Sequence, residues 1–206
     1  MHISPVTLEG SHVRLEPLRQ AHAEALFRVS EPGIFTWMSM PIERLADMRA
    51  FVAEALDRQG EGAALPFAMI ERAAGQAVGS TRFGAIVPTH RRVEIGWTWI
   101  ARPWQGTAVN SEAKLLMLAH AFEEWDCVRV EFKTDALNTQ SRAALVAIGA
   151  SEEGALRHHM VMPEGRLRDS VYYSILAEEW PRVRAHLRAR LAQRAKGRAA
   201  LGGKSQ

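Results

Sequence analysis

Cysteine is nearly absent from this 206-residue chain. Cys127 stands alone, so no internal disulfide can form and no cysteine cluster can hold zinc or run redox chemistry. Its plain reading is a small buried hydrophobe. Long apolar runs are missing too, since no stretch approaches the roughly 18 residues that a spanning helix needs. Met1 to Leu18 show no basic start followed by an apolar core. The expectation is a cytoplasmic protein with no membrane role. No internal repeat and no linker rich in Gly, Pro or Ser interrupts the chain before its end, which favours one continuous domain over residues 1–194. Acid is absent after Glu179, whereas Arg182, Arg184, Arg188, Arg190, Arg194, Lys196, Arg198 and Lys204 all fall there. Setting those eight aside from the 26 basic residues leaves 18 against 23 acidic, so a net charge of +3 becomes −5 for the body. The basicity belongs to the end, with 195–206 expected as a flexible basic tail, and nucleic acid is not the expected partner of the fold.

What is present is patterned for a mixed sheet. His12 to Pro17 alternates apolar and polar residues and predicts a strand, Ala21 to Val29 a helical patch, and Arg44 to Arg58 a helix with Leu45, Met48, Phe51, Val52 and Leu56 on one side. Pro66 to Glu71, Ala77 to Ile86 and Arg92 to Ile100 read as an antiparallel meander. In its third strand Val93, Ile95, Trp97 and Trp99 are expected on the core face, with Glu94 on the other. A strong helix follows at Ser111 to Trp125, then a strand at Val128 to Thr134, a helix at Thr139 to Ile148, a hairpin from Ala155 to Met162 and Ser170 to Leu176, and a closing helix from Trp180. The fold class predicted is α/β (α+β), a mostly antiparallel sheet with helices on both faces.

The chemistry concentrates where Trp99 and Ile100 end a strand and Gln105-Gly106-Thr107-Ala108-Val109-Asn110 lead into a helix. The first N–H groups of a helix have no partner inside it and carry partial positive charge, which favours an anion there by ~0.3–2 kcal/mol. Gly106 and Ala108 are small enough to let a pyrophosphate approach those amides.

The run P-W-Q-G-T-A-V-N-S-E-A resembles the acetyl-CoA turn of the GCN5-related N-acetyltransferase (GNAT) superfamily, although Pro103 stands where that motif carries glutamine or arginine. With the opening T-L-E-G-S-H-V-R-L-E-P-L and the later D-A-L-N-T-Q-S-R-A-A-L-V-A-I-G-A, the chain resembles the RimJ/RimL-type subgroup over roughly Val6 to Leu187. The resemblance implies the GNAT fold, with about seven strands and a splay between the fourth and fifth. It also implies acetyl-CoA as co-substrate, no metal, and a primary amine on a protein N-terminus or a small molecule as acceptor. Relatives often form dimers, so a homodimer is an expectation as well.

Carried over residue by residue, the resemblance puts the pantothenyl arm against the backbone of Trp99 and Ile100 and the pyrophosphate at Gln105, Gly106, Thr107, Ala108, Val109 and Asn110. Asn138 forms the opposite wall, or else simply caps the next helix. Glu94 resembles the glutamate at which relatives deprotonate the acceptor; the other reading is a surface carboxylate paired with Arg92 or Arg82. Ser141 matches a serine near the CoA sulfur, where a hydroxyl donates to the departing thiolate, with Tyr172 or Tyr173 as rival donors. Trp37, Met38 and Tyr172 are expected on the acceptor side, and core packing explains the first two equally well.

Two patterns carry no function. The closing L-G-G-K-S-Q lacks the first Gly of a phosphate-binding loop and has no room for its helix. His158 and His159, adjacent on a strand, point to opposite faces and cannot share a metal. The rival to an acetyltransferase is a catalytically idle acyl-CoA-binding module that acts through partners.

Overall fold

A strand that the sequence pattern does not show begins the chain. In the computed structural model, which describes residues 1–202 and side chains through Arg194, Leu8–Glu9 (β1) folds back on Val13–Pro17 (β2). β1 is too short to alternate visibly, and it makes the sheet eight-stranded where about seven were expected. The buried Glu112 carboxylate holds the hairpin turn, accepting the amides of Ser11, His12 and Val13 at 3.0, 2.6 and 2.8 Å. Residues 203–206 of the expected tail lie outside the described residues, as do the side chains from 195 onward.

His22–Val29 (α1) and Leu45–Gly60 (α2) follow, the latter started by Asp47, which reaches back to the amides of Glu43 and Arg44. Leu65–Glu71 (β3), Gln76–Val87 (β4) and Arg92–Ile100 (β5) form the antiparallel meander. Ala108–Ala119 (α3) then leads through a π-turn at His120–Glu124 to Arg129–Asp135 (β6), Thr139–Ala147 (α4), Ser151–Val161 (β7), Leu167–Leu176 (β8) and Trp180–Gly202 (α5). α3 starts three residues before the apolar pattern does, because Thr107 caps it by accepting the Val109 amide at 3.3 Å.

The sheet order is β1-β2-β3-β4-β5-β6-β8-β7, with every neighbouring pair antiparallel except β5 and β6. One face packs Phe67, Phe83, Val93, Phe132 and Tyr173 against Met117, Leu118 and Leu187 of α3 and α5. The other packs Ala68, Ile70 and Trp99 against Leu26, Met48, Phe51 and Val52 of α1 and α2. Cys127 is buried and unpaired, as its isolation implied, and burial pushes its thiol up to about 11. Among the described residues no helix is long and apolar enough to cross a membrane.

One face assignment is corrected. Between the pairs Arg82–Gly96 and Ser80–Trp99, β5 holds two residues, Trp97 and Thr98, against one on β4, Thr81, and Trp97 takes a left-handed φ of 49°. This bulge shifts the alternation by one residue, so Val93 and Ile95 stay on the α3–α5 face while Trp99 crosses to α1–α2. There Phe35 meets it edge-on at 5.0 Å. Trp97 leaves the core altogether, with the Arg82 guanidinium 4.0 Å above its ring.

Candidate active site

β5 and β6 pair at only three positions, Arg92–Arg129, Val93–Val130 and Glu94–Glu131. Beyond them β5 stays with β4 as far as Ile100, and β6 stays with β8 as far as Asp135. A bulge raises local twist, so the one at Trp97 bends β5 away from its parallel neighbour just after pairing stops. The two strands diverge into a cleft of ≈ 420 Å³.

Glu94 sits at the fork. It is buried, with Oε2 accepting from Lys133 Nζ at 3.0 Å across the strand junction. The surface reading is thereby corrected, since Arg82 pairs with Glu54 and Arg92 with Glu131 instead. Gly96 makes room for this carboxylate: a Cβ there would lie 2.8 Å from Glu94 Oε1.

The facing wall comes from α4. Asn138 caps it, with Oδ1 accepting the Ser141 amide at 3.0 Å, and both residues line the cleft. Capping leaves the Asn138 side-chain NH₂ available, so the two readings of that residue are compatible. The Ser141 hydroxyl makes no hydrogen bond among the described residues. Trp37 and Met38 line the cleft from the loop after α1, half-buried, and Trp99, Ile100, Gln105 and Asn110 complete the set of expected residues found there.

Gly106, Thr107, Ala108 and Val109 form the turn into α3 and do not line the cleft itself. Gly106 has φ of 73° with open space around its missing Cβ, and neither its amide nor that of Ala108 has a hydrogen-bond acceptor among the described residues. The Val109 side chain is in the core and its amide is taken by the Thr107 cap. Gln105 donates to the Ile100 carbonyl at 2.9 Å, bracing the turn against the strand end. Tyr172 is not brought to the cleft: on β8, opposite Lys133, its ring meets His159 of β7 edge-on at 5.7 Å. Tyr173 is buried on the opposite face, its hydroxyl donating to Glu152 at 2.7 Å.

Splayed parallel strands, a small-residue turn and the helix after it fall within a segment that, from residue 12 to 151, matches the acetyltransferase (GNAT) domain family. The chain belongs to that family. This acetyltransferase superposes on a crystal structure from T. thermophilus, called a "putative acetyltransferase", with a TM-score of 0.85 and 40% identity, covering 93% of this chain and all of that one. It superposes on Mycobacterium smegmatis RimJ in complex with CoA-disulfide with a TM-score of 0.78 and 26% identity, covering 92% of this chain and 96% of that one. A Bacillus subtilis (strain 168) protein named "Putative ribosomal N-acetyltransferase YdaF" is 37% identical over 91 residues, 44% of this chain and about half (49%) of the relative. The enzyme is thus a GNAT acetyltransferase, similar to proteins named for the RimJ/RimL-type subgroup.

Three residues of this acetyltransferase escaped the sequence. Lys114 on α3 lines the cleft, buried, its Nζ donating to Thr98 Oγ1 at 2.8 Å, and desolvation lowers its pKa to about 7. Lys114 stands between the polar start of α3, Asn110 to Glu112, and the apolar run Leu115 to Leu118, and a single lysine at such a border reads as a solvated residue. Glu112 was visible only as part of the motif, because its partners lie about 100 residues upstream. Arg168 lies on β8, and only the strand register shows which face it shares. Among the described residues no cluster of His, Cys, Asp or Glu is placed to hold a metal.

Proposed function

We propose that this acetyltransferase uses acetyl-CoA and transfers its acetyl group directly to a primary amine, on a protein N-terminus or a small molecule, within a ternary complex. The observation that carries this reading is the cleft between β5 and β6, which places the Glu94 carboxylate and the Ser141 hydroxyl along one continuous opening. The residues present also fit a coenzyme A. Asn110 Oδ1 is buried with no partner among the described residues, an acceptor suited to an amide N–H of the pantetheine arm, and an orphan of that kind costs roughly 1–3 kcal/mol until it is met. Beyond Glu94 the edge of β5 facing β6 is unpaired among the described residues, so the arm can add to it like a strand. The amides of Gly106 and Ala108 at the start of α3 suit the pyrophosphate.

Bound there, acetyl-CoA supplies a thioester whose carbonyl carbon is open to attack. Glu94 accepts the proton that the amine loses as its nitrogen forms the new C–N bond, directly or through water. Lys133 holds the Glu94 carboxylate in place, while Ser141 donates to the sulfur as the C–S bond breaks. Thiolate leaves readily, so Ser141 contributes less than the positioning of amine and thioester. An acceptor on a ribosomal protein is the first to try, given the name of the Bacillus subtilis relative. The test follows free thiol release from acetyl-CoA against ribosomal-protein N-terminal peptides, polyamines, aminoglycosides and amino acids, beside calorimetric titration with CoA. Thiol release that depends on one class of amine supports the reading, and CoA binding with no amine-dependent release would leave the idle module in its place.

A further inference from the structure

Charge on one sheet face points to what the acceptor looks like. The registers Glu94–Glu131, Lys133–Tyr172 and Asp135–Ser170, with period-two alternation, put Glu94, Lys133, Asp135, Ser170 and Arg168 on the same side of the sheet, turned away from the α3–α5 core. Each carboxylate on that side has its own cation. Glu94 pairs with Lys133 at 3.0 Å, Asp135 with Arg166 at 2.7 Å, and Glu131 with Arg92 at 3.0 Å, while Glu54 of α2 reaches across to Arg82 at 2.7 Å.

Arg168 is left over. It is only 7% exposed and lines the cleft, yet it forms no ion pair among the described residues. Its guanidinium is nevertheless held: Nε donates to Ser170 Oγ at 3.1 Å and Nη1 to the Trp37 carbonyl at 3.3 Å, leaving Nη2 without a partner among the described residues. The same contact ties the loop carrying Trp37 and Met38 to β8. No carboxylate touches this guanidinium among the described residues; desolvation disfavours its charged form, and Asp135 and Glu94, close enough to favour the charge but already paired with Arg166 and Lys133, offset that only in part. A guanidinium fixed by neutral groups and open on one side is arranged for an incoming anion, which its planar fork favours as a carboxylate.

Resting on the acetyl-transfer reading above, we propose that Arg168 recognises the acceptor, and that the amine taken by this cleft carries a carboxylate which Arg168 receives while the amine stands at Glu94. The acceptor class is therefore an amino-acid-like amine, or a peptide N-terminus with an acidic first or second residue.

The test compares matched acceptors in the full chain with saturating acetyl-CoA: ω-amino acids from glycine to aminohexanoate against their carboxamides, and Asp-containing against Asn-containing N-terminal peptides. Rates are corrected for the unprotonated fraction of each amine. The expected result is a kcat/KM preference of about tenfold or more for the carboxylate member of at least one pair, the scale of one charge-assisted contact. In Arg168→Gln that ratio falls to near one, and in Arg168→Lys, which keeps the charge but loses the fork, it falls part-way. CoA titration of both variants shows whether they have folded, and the lysine variant carries the comparison if the glutamine variant has not. Equal use of carboxylate and carboxamide by the unaltered enzyme, or a preference that survives in Arg168→Gln, overturns the role of Arg168 and leaves the acetyl-transfer reading standing. Thiol release with no amine at all overturns that reading, and this inference with it.

Discussion

Lys114 Nζ donates to Thr98 Oγ1 at 2.8 Å inside the cleft, and Thr98 Oγ1 lies 2.7 Å from Thr81 Oγ1, so a buried amine is held by one hydroxyl, itself braced by a second, and by no carboxylate among the described residues. Its pKa of about 7 makes stability depend on pH. In the unfolded chain a lysine keeps its proton up to about pH 10.4, so above pH 7 the unfolded state binds more protons and stability rises with pH. Between pH 7 and 8.5 the gain is about 1.5–2 kcal/mol. Above that range the buried Cys127 thiol acts in the opposite sense, since it holds its proton to about 11 when folded. Urea unfolding over this window should show the rise in the natural sequence and its absence in Lys114→Met. Parallel slopes for the two would show that the amine is solvated.

Removing charge from Glu112 tests the link between the first hairpin and α3. Glu112→Gln keeps one carbonyl for three amides spaced to share a carboxylate. The loss should be about 2–4 kcal/mol, lowering Tm by roughly 5–12 °C. A drop below a degree in calorimetric melting would mean that water replaces the contact.

For Glu94→Gln, the expected effect is a fall in kcat of about 10²–10⁴ with little change in the affinity for CoA. The rate lost should be largest below the pKa of the acceptor amine and shrink at high pH, where the amine arrives already deprotonated. Turnover at the unaltered rate would remove Glu94 from the proton path.

Gly106→Trp is expected to weaken CoA binding by at least tenfold, because an indole at φ of 73° covers the amides at the head of α3. Calorimetry reads the effect directly, and melting temperature separates it from backbone strain. Unaltered affinity would move the pyrophosphate elsewhere.

Most of the scaffold was legible because it rests on local periodicity. β5 was bounded at Arg92 and Ile100 from the pattern alone, and α4 at Thr139. The π-turn after α3 kept Trp125 in the core, 4.6 Å from Phe83, so the helical pattern read through it without a break. What failed was parity. A single extra residue at Trp97 reversed the faces downstream, and nothing in V-E-I-G-W-T-W-I marks it except a glycine beside the bulge. Of the run Gly106 to Asn110, expected from the sequence to meet a cofactor through its backbone, Asn110 lines the cleft and the rest form the turn beside it. Contacts between distant segments were not legible, as for Lys133 with Glu94 or Arg168 with the Trp37 carbonyl.

The three-pair junction between β5 and β6 has a mechanical consequence. Among the described residues it is the sole seam of strand pairing between the block β1–β5 and the block β6–β8, a short stitch at one corner of a wide sheet. Any molecule that bonds to both open edges sews a second seam opposite the first. Occupancy should then slow amide exchange on strands that it never touches, and the cohesion of the two halves becomes a gauge of how full the cleft is.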